Sequence, residues 1–131
     1  MRQIIQPKGV WDPRPRFAQV ARSGDEVYVA GQAPVDEDGN TVGPGDIEAQ
    51  TRQVFENLRR CLEAAGVRFE DVVKLNVYST DLDAHLSTIG AFRATHFSEP
   101  VPSTTVQVSR LVRPEWLVEI EAVAVKRSQE R

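Results

Sequence analysis

The sequence predicts an α+β fold: one mixed sheet with two helices on one of its faces. Two observations lead there. Runs rich in β-branched and apolar residues at 17–22, 26–31, 71–80, 104–110 and 117–126 carry the alternation of strands that bury one face. Two longer stretches, from Asp46 to Gly66 and over 83–97, instead carry the spacing of helices. The order is β-β-α-β-α-β-β, with 2–5 as a further short strand, and helices interspersed in this way cover one side of a sheet.

The first two strands lie in "FAQVARSGDEVYVAGQ" and are turned by Ser23-Gly24-Asp25 into a hairpin. "PVDEDGNTVGPGD" follows as a loop, with Asp38-Gly39 and Pro44-Gly45 as its turn signals. It lacks the Gly-rich pattern closed by Lys-Ser or Lys-Thr that cradles a phosphate. The first helix sets Ile47, Val54, Phe55, Leu58, Leu62 and Ala65 on one face, with Asp46 as cap and Gly66 past its end. "LVRPEW" connects the last two strands. In the final strand Val118, Ile120, Ala122 and Ala124 share one side, while Leu117, Glu119, Glu121, Val123 and Val125 share the other. The strand before it sets Thr105, Gln107 and Ser109 opposite Val106 and Val108. Two glutamates two residues apart stand about 7 Å from each other, so a covered face requires a partner or a shifted pKa for one of them. A solvated face and an oligomer interface holding water or a ligand both account for such polarity.

The 131 residues fit a single domain, 1–131, that buries about two-thirds of its unfolded surface. Nineteen acidic against sixteen basic side chains give −3, which offers no general attraction to nucleic acid or an anionic membrane. No apolar run approaches the roughly 20 residues of a membrane span. "MRQIIQPKGVW" lacks the apolar core of a secretory signal and Cys61 is alone, so a cytoplasmic protein is expected. Cys61, inside "NLRRCLEAAG", reads as a buried thiol. His85 and His96 stand eleven apart without metal-ligand spacing, so neither a metal nor another cofactor is expected. Trp11 and Trp116, in loops beside prolines, read as packing lids, and Arg59-Arg60 as a solvated helix face.

"FAQVARSGDEVYVAGQ", "LEAAGVRFEDVVKLNVYSTDL", "PVPSTTVQVSRL" and "LVEIEAVAV" together resemble the RidA family, the reactive intermediate deaminases also labelled L-PSP endoribonucleases, over about residues 15–127. The resemblance implies a homotrimer of chorismate-mutase-like subunits around a central barrel, with three clefts between neighbours. A trimer would account for a sheet face carrying Glu119, Glu121, Gln107 and Ser109. The family's activity is hydrolysis of enamines and imines, such as 2-aminoacrylate, to the keto acid and ammonia.

The resemblance also assigns residues. Glu121 matches the glutamate beside the attacking water, and Gly31 the glycine whose backbone meets the ligand. Phe17 stands for a tyrosine that closes the cleft, and Thr105 for a cysteine. The family's Pro-Ala-Arg-Ser/Thr-x-Val motif, aligned on Val106, Val108, Arg110 and Leu111, puts its arginine at Ser103. The hydroxyls Ser103, Thr104 and Thr105 therefore line the place of a carboxylate anchor, and a serine does not replace a bidentate guanidinium. Arg14 and Arg16 in "DPRPRF" are the candidates for a displaced cation, or else two solvated arginines. Arg110 is expected to form a structural ion pair. Gly31 also reads as backbone freedom at a strand end, and the threonines as ordinary strand formers. Ser103 as a covalent nucleophile lacks a histidine placed to activate it. The expected function is a small-molecule hydrolase acting on an imine or enamine, with 2-aminoacrylate itself a poor fit. The alternative is a non-catalytic trimer that binds a metabolite.

Overall fold

The computed structural model describes residues 1–127. Its elements are β1 (Arg2–Ile5), β2 (Val20–Ser23), β3 (Glu26–Gln32), α1 (Ile47–Ala64), β4 (Val72–Ser79), α2 (Leu82–His96), β5 (Ser103–Gln107) and β6 (Val118–Val125), with one 3-10 turn at Phe69–Asp71. Six strands form a single sheet in the order β1-β2-β3-β6-β4-β5. Every neighbouring pair is antiparallel except β4 and β5. That pair is parallel because α2 carries the chain back along the sheet between them.

α1 forms where the sequence predicts. Asp46 caps it by accepting from the Ala49 amide at 3.1 Å. Gly66 follows with φ +80°, a conformation in which a side chain would be strained. Its face of Val54, Phe55, Leu58, Cys61, Leu62 and Ala65 is buried against Val27, Val29, Leu75, Val77, Val118 and Ile120 of the sheet. Burial pushes the Cys61 thiol up to about 12, which leaves it inert at neutral pH. α2 begins at Leu82, one residue earlier than expected, because Asp81 accepts from the Ala84 amide. It buries Ile89 and stacks Phe92 and His96 on Phe55.

Two strands are shorter than their sequence pattern suggests. β2 starts at Val20 because Phe17–Gln19 belong to the proline-punctuated entry loop, and only Gln19 reaches the sheet, its carbonyl accepting from the Ala30 amide. β5 ends at Gln107, whose side chain turns away to accept from the Leu82 amide at the start of α2. This register corrects one expectation. Thr105 pairs with Val77 and Gln107 with Ser79, on the helix side, while Thr104 and Val106 accompany Asn76 and Tyr78 on the open side. Gln107 therefore does not share a sheet face with Glu119 and Glu121. Arg110 forms no ion pair among the described residues; it donates to the carbonyls of Leu111 and Val112 in its own turn.

The helix-free side of the sheet is partly apolar. The pairing aligns Ile4, Ala21, Tyr28 and Val123 in one row across β1, β2, β3 and β6. Ile4 and Tyr28 are exposed, as are Val106 and Val125 elsewhere on that side. Among the described residues no helix is long and apolar enough to cross a membrane.

Candidate functional site

β3 and β6 build the centre of the site through a bulge. From Val29 to Gln32 the chain advances three residues while its partner passes only two, from Ala122 to Ile120. The extra residue bends β3 and re-aims Ala30-Gly31, as bulges beside ligand sites do. Gly31 then lies directly beneath Glu119, so closely that an added methyl group would sit 2.8 Å from the carboxyl carbon. The need for glycine here is a close approach, since its φ is not positive.

A cavity of about 400 Å³ opens over this pair. Trp11, Phe17 and Trp116 wall it, and Arg16, Arg113 and Glu119 bring charge to its lining. Trp116 is buried and donates through Nε1 to Thr41 Oγ1. Arg113 packs against both indoles, 5.7 Å from the ring of Trp11 and 5.1 Å from that of Trp116, and donates to the Gly39 carbonyl at 2.7 Å. Arg16 lies 5.5 Å over Trp11 and pairs with no carboxylate among the described residues. Glu119 accepts no hydrogen bond from a described residue. Burial, and secondarily the nearby Glu121, push its pKa above the ordinary carboxylate range.

Glu121 occupies a different setting. Its Oε1 accepts from Tyr78 Oη and from Asn76 Nδ2. This bond and burial raise the Tyr78 phenol to about 12. Glu121 lines a neighbouring depression with Lys74, Asn76 and Tyr28. Of the two carboxylates that share a strand face, one is thus held and the other has no partner among the described residues.

The remaining residues fall into two groups. Phe17, Gly31 and Arg16 line the cavity. Arg14 does not; Asp12 holds it through Nε and Nη2 at 2.8 and 2.6 Å, which lowers the Asp12 carboxyl to about 2. Ser103, Thr104 and Thr105 stand on the edge strand β5 and line none of this cavity. Ser103 Oγ accepts from Arg93 Nη1 of α2 at 3.2 Å, and Thr104 Oγ1 from Lys74 Nζ at 2.8 Å. A guanidinium does stand beside Ser103, supplied by a helix. Glu119, Trp11, Trp116 and Arg113 are cavity residues that sequence reasoning passed over. The strand period placed Glu119 beside Glu121, but only the bulge reveals which of them meets Gly31. Among the described residues no cluster of His, Cys, Asp and Glu could hold a metal ion.

The family model for Endoribonuclease L-PSP matches residues 10–126, nearly the whole chain. The chain belongs to the RidA/L-PSP family. A RutC family protein of Pyrococcus horikoshii is 37% identical over 127 residues, covering 96% of this chain and 99% of that protein. Among solved structures, RidA from an Antarctic Psychrobacter shares 33% identity at a TM-score of 0.86, over 95% of this chain and 99% of that one. YyfA of Yersinia pestis, a Rid family protein of unknown function, shares 30% at 0.89, over 96% and 100%. Escherichia coli TdcF, solved with bound serine, shares 30% at 0.84, over 95% and 99%. The RidA/L-PSP fold of two helices on a mixed six-stranded sheet accounts for the whole described chain.

Proposed function

We propose that this RidA/L-PSP family member hydrolyses an imine or enamine of a small metabolite, with Glu119 as the group that activates water. The observation that carries the reading is an unpartnered, desolvated carboxylate held over Gly31 at the floor of an aromatic-walled cavity. A base whose pKa is raised toward neutrality transfers protons better than an ordinary surface carboxylate. The water oxygen bonds to the imine carbon as its proton passes to Glu119. Glu119 returns the proton to nitrogen, giving a carbinolamine, and then relays the hydroxyl proton to nitrogen as the C–N bond breaks, so that ammonia leaves and the carbonyl remains. The nearby Glu121 adds to the rise that burial causes in the Glu119 pKa and so favours a protonatable Glu119. Phe17 walls the site.

The working form is a homotrimer. The uncovered row of Ile4, Tyr28 and Val123 gives copies an apolar surface to share, and a second copy is what could bring Ser103, Thr104 and Thr105 of β5 to this cavity. Serine bound to the TdcF relative is consistent with a cleft of amino-acid size. RNA cleavage is the weaker reading, because a chain of net charge −3 gathers few phosphate contacts.

The test is hydrolysis of imines generated in situ from a panel of amino acids by an amino-acid oxidase, followed through loss of semicarbazone trapping. Wild type should accelerate decay of at least one imine, and Glu119→Gln should abolish the acceleration while sedimentation still reports a trimer. An intact trimer with no turnover across the panel, yet with saturable ligand stabilisation, would instead establish a metabolite-binding protein.

A further inference from the structure

The cavity's charges and walls fix more than a reaction type. Arg113 is committed to the fold: it is stacked against two indoles and its Nη1 is taken by Gly39. Arg14 is committed to Asp12. Arg16 is different, since the one described contact of its guanidinium is the face of Trp11, and a guanidinium has five donors with which to meet an anion. Glu119 lines the same cavity but forms no ion pair with Arg16. A cation and a carboxylate thus share one cavity without meeting, and a ligand between them can offer an anion to one and a nitrogen to the other. The space is also large. About 400 Å³ walled by Trp11, Phe17 and Trp116 lies within the range of about 300–1,000 Å³ typical of small-molecule sites and exceeds what a three-carbon acid fills.

We infer that the ligand is an α-imino or α-keto acid with an aromatic or large apolar side chain, its carboxylate held by Arg16, its reacting carbon near Glu119 and its side chain against Trp11 and Trp116. The inference rests on the cleft reading above, but it concerns recognition and is readable without turnover. The carboxylate anchor comes from the entry loop rather than from β5. An apolar body gains from burial against indole faces, and a charged bidentate contact sets its direction.

The chain has only two tryptophans and both line this cavity, so intrinsic tryptophan fluorescence reports its occupancy. The intact protein is titrated with 3-phenylpropanoate, its neutral analogue 3-phenylpropan-1-ol, and propanoate. The aromatic acid should perturb the emission saturably with a Kd at least about tenfold below those of the alcohol and the short acid, tenfold corresponding to about 1.4 kcal/mol. Arg16→Gln should bring the acid to the level of the alcohol, Arg16→Lys should fall between, and Arg14→Gln should change nothing. Equal binding of acid and alcohol, equal binding of propanoate, or an unaffected Arg16→Gln overturns the inference. So does a loss seen with Arg93→Gln instead, which would put the anion at β5. Binding as expected in a protein that hydrolyses no imine leaves this inference standing and removes the hydrolase. Turnover that is indifferent to side-chain size and to Arg16 does the reverse.

Discussion

β6 carries the same alternation on both of its sides, yet the two sides end in different conditions. Val118, Ile120, Ala122 and Ala124 point toward α1 and are almost wholly buried within the one chain. Glu119, Glu121, Val123 and Val125 point away from the helices and remain half-buried or exposed. The helix side is finished by local partners, because α1 presents an apolar stripe at the matching period. On the open side Glu119 accepts from no described residue and no described element covers the apolar row, which is where the proposed ligand and further copies of the chain would sit. On the proposed reading, stability resides mainly on the first side and chemistry on the second, although one strand supplies both.

The sharpest way to break this division is to change one residue on each side. Glu119→Gln keeps shape and removes the base, and should lower kcat for imine hydrolysis about 10²- to 10⁴-fold, the usual worth of a positioned general base. Glu121→Gln, altering a carboxylate already occupied by Tyr78 and Asn76, should cost far less. A reversed order would give the catalytic role to Glu121. Ile120→Ala should behave oppositely: it removes a buried side chain from between α1 and the sheet and should cost about 2–5 kcal/mol in denaturant unfolding. If Glu119→Gln destabilised as much as Ile120→Ala, the division of labour would fail.

A subtler change acts at the junction of the two sides. Gly31→Ala places a methyl group where the Glu119 carboxyl now lies, so Glu119 must swing away while the core behind it is untouched. Displacing a catalytic group by about 1 Å can cost up to about 10²-fold, so kcat should fall with little change in thermal midpoint. Wild-type kcat in Gly31→Ala would show that the approach of Glu119 to Gly31 is incidental.

How much of this the sequence disclosed follows the same line. The α1 stripe, its Asp46 cap, the β2–β3 hairpin and the alternation of β6 were all legible, since period and capping are local properties. The resemblance brought Phe17, Gly31 and Arg16 into consideration, and these three do line one cavity. What stayed hidden was set by register. Nothing local says that one extra residue in β3 puts Gly31 under Glu119 rather than Glu121, or that the parallel pairing of β5 turns Gln107 toward α2. Trp11 and Trp116 stand 105 positions apart, and only the tertiary fold makes them two walls of one site.

The smallest expected effect concerns Glu119 and pH, and its sign separates a desolvated base from a solvated surface carboxylate. Burial raises the folded pKa of Glu119 above that of the unfolded chain, where a glutamate titrates near 4.3. Between the two values the folded protein holds a proton that the unfolded chain has released. Stability therefore falls as pH rises through this window, and above the folded value the full cost of the buried charge persists. Glutamine carries no charge at any of these pH values. At fixed protein concentration, Glu119→Gln should match wild type in thermal midpoint near pH 4 and exceed it by pH 7, with the gap opening across the window. A gap that is constant, or that closes toward neutral pH, would mean that Glu119 is solvated or paired in the assembled protein, and the carboxylate over Gly31 would lose its claim to be the base.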